Sequence, residues 1–128
     1  MRAGPLLFRI TGIVVFIQLA LGGLLTFDFV PAAPHIVVGF LVFALAITTM
    51  LAVWMSKPAF RPARMMSAGL VALILVQIVL GFATLGTGST VLAWIHFVVA
   101  LGIYGMTVAG TFIVMRWDQM ARQGAQQS

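Results

Sequence analysis

Polar positions are sparse in this chain, and their spacing divides it into four apolar runs at 6–27, 34–55, 65–85 and 90–115. A helix needs about 20 predominantly apolar residues to cross a bilayer. Each run supplies them, so the pattern predicts four transmembrane helices. The first run is too long for a cleaved signal peptide, whose apolar core spans only about 7–15 residues. The breaks carry turn chemistry. Segment 27–34 holds Pro31 and Pro34, which suit the first turn of a helix because no amide hydrogen is needed there. Segment 86–90 reads Gly-Thr-Gly-Ser-Thr, and either Ser89 or Thr90 can cap the helix that follows. Segment 56–64 is charged and proline-bearing and reads as a hinge. The Gln-rich stretch 117–128 reads as a frayed helix end and a disordered tail.

The second pair of runs repeats the first. Gln18-x-x-x-Gly22 aligns with Gln77-x-x-x-Gly81, and His35-Ile-Val-Val-Gly39 aligns with His96-Phe-Val-Val-Ala100. The expected fold is therefore an all-α integral membrane four-helix bundle, a single domain built from tandem helical hairpins at 6–55 and 65–115. Two such hairpins share one orientation and are related by an axis along the membrane normal.

Composition agrees. The 128 residues are 62% hydrophobic and 7% charged, against about 25% charged in soluble domains. With no Cys, disulfide, thiolate and iron–sulfur chemistry is excluded. With no Glu, and with Asp28 and Asp118 as the only acids, paired-carboxylate catalysis is excluded too. The net charge of +5 reads as topology and not as nucleic-acid binding. Arg2, Arg9, Lys57, Arg61, Arg64, Arg116 and Arg122 all fall at one end of the expected bundle. The positive-inside rule puts that end, with both termini, in the cytoplasm. A prokaryotic inner membrane is the expected location. Trp54 and Trp117 would mark the inner interface and Trp94 the outer one.

His35 and His96 are the residues with chemistry to offer. An ionisable side chain inside a membrane segment is costly and marks a functional site by default. Helical spacing flanks His35 with Ala32 and Gly39, and His96 with Ala93 and Ala100. Gln18 shares a face with Gly22, and Gln77 with Gly81. Small residues beside a ligand leave clearance for a flat macrocycle, and Phe43 and Tyr104 each follow their histidine by eight residues. These features predict a b-type heme with His35 and His96 as axial ligands. Gln18, Gly22, Gly39, Gln77, Gly81 and Ala100 would line it. The small residues also suit plain helix packing. Zinc is disfavoured because it usually takes four ligands.

This pattern resembles one four-helix half of the heme A synthase family of cytochrome oxidase assembly proteins, over about residues 10–115. The resemblance implies a heme site made by histidines on the second and fourth helices. The family commonly carries an acidic motif near its catalytic heme and an Arg directly after a ligand His. This chain has no Glu, and Ile36 and Phe97 follow its histidines, so it looks like the cofactor-holding half. Electron transfer is the expected role, with a quinone or cytochrome as partner, in a homo-oligomer or a larger redox complex. Gly102, Gly105, Ala109 and Gly110 offer small residues for association or for internal packing. The alternatives are a cofactor-free structural subunit of a respiratory complex and a homodimeric synthase-like enzyme.

Overall fold

In the computed structural model, which describes residues 3–56 and 60–126, four helices follow one another: α1 (Ala3–Thr26), α2 (Ala32–Met55), α3 (Arg61–Thr87) and α4 (Thr90–Gln126). All four are long and apolar enough to cross a membrane. The shortest has 24 residues, about 36 Å at 1.5 Å per residue. Large apolar side chains cover the outside, among them Phe27, Val37, Val79, Val91 and Trp94. That surface belongs against lipid.

The helices form a closed ring. α1 packs on α2 and α4, α3 packs on α2 and α4, and the diagonal pairs α1–α3 and α2–α4 make no contact of their own backbones. One end of the bundle, here the terminal end, holds the start of α1, the end of α2, the start of α3 and the end of α4. The other, the turn end, holds the two short connections. Arg9, Arg61, Arg64, Arg116 and Arg122 all lie toward the terminal end. Arg2 and Lys57 lie outside the described residues.

The turns behave as their residues dictate. Pro31 caps α2 in extended conformation. Ser89 precedes α4 and its Oγ accepts from the Leu92 amide at 3.4 Å. α3 ends on Gly88, left-handed at φ 63°, whose amide donates to the Thr84 carbonyl. α1 ends in a Schellman motif: the Phe29 amide donates to Leu24 O at 2.9 Å and the Asp28 amide to Leu25 O at 3.1 Å. Asp28 takes the left-handed position at φ 58°, where glycine is the customary residue.

The core occupies the terminal half. Phe8, Val15, Val42, Ala46, Val53, Ala63, Leu70, Ile74 and Ile103 are buried together. Thr11 and Thr49 join their hydroxyls at 3.0 Å across α1 and α2. No residue within 16–41 or 75–102, the turn half, is fully buried.

The duplication is visible in this core. Phe8 lies so close to Gly110 that a Cβ there would sit 2.6 Å from its ring. In the aligned repeats Phe8 corresponds to Ser67 and Gly110 to Thr49, both buried. The large residue and the glycine of one pair thus correspond to two middle-sized residues.

Two expectations need correction. The stretch after Arg116, read as a frayed helix end and then a disordered tail, is helical through Gln126. Trp117 stacks on Phe60 with ring centroids 4.4 Å apart, and Arg122 pairs with Asp118 one turn back at 3.0 Å. Those contacts hold a polar helix end that hydropathy alone does not reveal. The α3 helix likewise starts at Arg61, before its apolar run. There Arg64 donates to the Trp54 carbonyl at 2.7 Å and lies 5.8 Å from the Trp54 ring, clasping α3 to α2.

Candidate metal centre

His35 is the fourth residue of α2 and His96 the seventh of α4, counted from the helix starts at the turn end. The two helices are diagonal in the bundle, yet the imidazoles meet across it. Their ring centroids are 6.1 Å apart, with the planes at 64°. Both rings are half-buried.

Each ring is held in the same way. The Gln18 amide nitrogen donates to the His35 carbonyl at 2.8 Å, and that of Gln77 donates to the His96 carbonyl at 2.6 Å. The glutamine thus straps the histidine's own backbone near the start of its helix. Gly22 faces the His35 ring, and a Cβ there would meet Cε1 at 3.1 Å. Gly81 faces the His96 ring, with 3.2 Å to Cε1. Any larger residue at either position would make the imidazole shift by a few tenths of an ångström.

The two half-sites differ in one contact. Gln18 Nε2 also reaches His35 Nε2 at 3.2 Å, whereas Gln77 bonds only the carbonyl of its histidine. Gly39 lies against Gln18, where a Cβ would sit 3.1 Å from the amide nitrogen. Its counterpart is Ala100, half-buried on α4.

The structure therefore brings His35, His96, Gln18, Gln77, Gly22, Gly81 and Gly39 together. Phe43 and Tyr104 sit elsewhere: both pack on the core, and Tyr104 pairs with Phe16 at 5.8 Å. Gly110 is internal, while Gly102 and Gly105 face open space. Sequence reasoning missed the Thr11–Thr49 bond and the Trp54–Arg64 clasp. Thr11 and Thr49 could have been found as polar residues on otherwise apolar helix faces.

The donor set narrows what this centre can hold. His35 Nδ1, His96 Nδ1, Gln18 Oε1 and Gln77 Oε1 are buried without hydrogen-bond partners. A metal–imidazole bond is about 2 Å and the ring nitrogen lies about 1 Å from its centroid, so two rings on one metal have centroids about 6 Å apart. The observed separation fits. No group of three or more His, Cys, Asp or Glu gathers among the described residues, so a bare ion would find no carboxylate or thiolate there beside the two imidazoles. Heme brings four nitrogens of its own and asks only for axial ligands. The residues present fit that group.

Comparisons of the chain with protein-family models, with curated proteins and with solved structures find no match.

Proposed function

We propose that this chain is a b-type heme protein of the membrane, with His35 and His96 as axial ligands, and that it transfers electrons. The observation that carries this reading is the pair of imidazoles 6.1 Å apart, each backed by the same Gln–Gly support from the preceding helix. A heme held there would supply reversible one-electron chemistry, with both axial positions taken by protein and none open to oxygen. The protein's part is to hold and to orient. Gln18 and Gln77 fix the histidine backbones, Gly22 and Gly81 let the rings lie close to helices α1 and α3, and Gly39 makes room for Gln18. Were a heme bound by His35, Gln18 would still hold the histidine through its bond to the His35 carbonyl.

The resemblance to one half of heme A synthase supports the same assignment. The cationic terminal end belongs in the cytoplasm by the positive-inside rule, in a prokaryotic inner membrane. Association with a second copy or a larger redox subunit, and exchange with a quinone or cytochrome, complete the proposal. Gly102 and Gly105, which meet nothing within the chain, give α4 a surface for close helix contact.

The test is a pyridine hemochrome and a reduced-minus-oxidised spectrum of the chain purified from heme-supplied cells. A low-spin spectrum with one heme per chain is expected. It should vanish in both His35→Ala and His96→Ala while helical content stays. Unchanged heme content in both variants would overturn the reading, and so would a wild-type chain that takes up no heme.

A further inference from the structure

A second feature lies in the terminal half, away from the histidines. Between α1 and α4 runs a groove of about 340 Å³ lined by Phe8, Arg9, Gly12, Phe16, Tyr104 and Phe112, among others. At its floor the two helices approach closely: Gly12 packs on Thr107, whose Oγ1 would sit 3.0 Å from a Cβ there. Phe16 and Tyr104 close the groove at mid-bundle.

Its single cation is unusual. Arg9 is the seventh residue of α1, exposed on the helix surface where it borders the groove. Among the described residues it has no carboxylate partner. The chain's two acids are elsewhere: Asp28 is in the turn at the far end and Asp118 pairs with Arg122. A second cation, Arg116, follows Phe112 by one turn on α4. An arginine near a helix start extends to the membrane interface, where anionic lipid head groups lie.

We propose that this groove binds one anionic phospholipid of the adjoining leaflet. The phosphate sits on Arg9, and an acyl chain runs along the aromatic walls toward Phe16 and Tyr104. Basic pockets between membrane helices hold acidic lipid head groups by this combination of charge and apolar burial. A free phosphate could satisfy the cation but not the aromatic walls. The site is independent of heme.

The experiment is native mass spectrometry of the full chain in mild detergent, titrated with phosphatidylglycerol or with phosphatidylcholine of the same acyl chains. One phosphatidylglycerol should be retained at a concentration about tenfold below that needed for phosphatidylcholine. Arg9→Gln should remove that preference. Arg61→Gln, at the same end but on α3, should keep it. Val108→Trp, which fills the groove, should weaken retention of both lipids. Equal retention of the two lipids by the wild type would overturn the proposal. It would also fall if Arg9→Gln and Arg61→Gln acted alike, which would mean diffuse charge attraction, or if a second copy and no lipid were retained. Should Val108→Trp fail to fold, the pair of surface arginine variants still decides the matter.

Discussion

The two halves of this bundle are built by different means. The terminal half is closed by apolar side chains and threonines packed to full burial, with Phe8 and Leu70 both at 0% exposure. The turn half has no fully buried residue. It is organised by two glutamine straps, two glycine contacts and a pair of imidazoles. In lipid the hydrophobic effect does not press helices together, so close packing and polar contacts must do so. The terminal half carries that duty, which frees the turn half to keep unpartnered nitrogen atoms at its centre. One region holds the fold, and the proposed heme site lies in the other.

The sharpest way to break this comparison is to empty the terminal half. Phe8→Ala should cost about 3 kcal/mol in a denaturant titration in micelles, whereas Phe97→Ala, on the lipid face of the turn half, should leave the midpoint nearly unchanged. Equal losses would mean that the two halves share the load.

The next effect belongs to the turn half alone. Gly22→Ala and Gly81→Ala put a methyl group 3.1 and 3.2 Å from their histidine rings. Each should lower heme affinity about tenfold, as lost support of a ligand typically does, while unfolding of the heme-free protein hardly moves. Heme titration of both variants checks this. A loss of stability without a loss of affinity would make these glycines packing residues only.

A smaller gain is expected at the end of α1. Asp28 occupies a left-handed position that costs an L-residue about 1 kcal/mol. Asp28→Gly should recover most of that, read as a raised thermal midpoint. Gly88→Ala should lose a similar amount at the end of α3.

Smallest of all is Thr49→Val. It removes the hydroxyl bonded to Thr11 at 3.0 Å and should cost about 0.6 kcal/mol, the usual worth of a polar contact between membrane helices. A larger cost would assign the terminal half a polar anchor as well as a packed core.

Much of this was legible in the sequence, for identifiable reasons. Four spans show in the apolar runs because bilayer thickness sets one length for all of them. The half-sites show because Gln18, Gly22 and His35 recur as Gln77, Gly81 and His96, and a repeated polar residue in an apolar chain is conspicuous. The ends of α3 and α4 did not show, since Arg61 and Gln126 carry no hydropathy signal. Nor did the partner of Phe8: Gly102, Gly105 and Gly110 look alike in sequence, and only the rotation of α4 decides that Gly110 faces inward. The groove beside Arg9 was hidden for the same reason, because it depends on which faces of α1 and α4 meet.

The pairing of Phe8 with Gly110, set against Ser67 and Thr49 at the aligned positions, also bears on whether either hairpin could pair with a copy of itself. Two copies of the first hairpin would drive Phe8 into Thr49 at both interfaces. Two copies of the second would leave Ser67 facing Gly110, with a void on each side. Each hairpin now fits only the other. A chain made of two identical hairpins would need compensating substitutions at these positions.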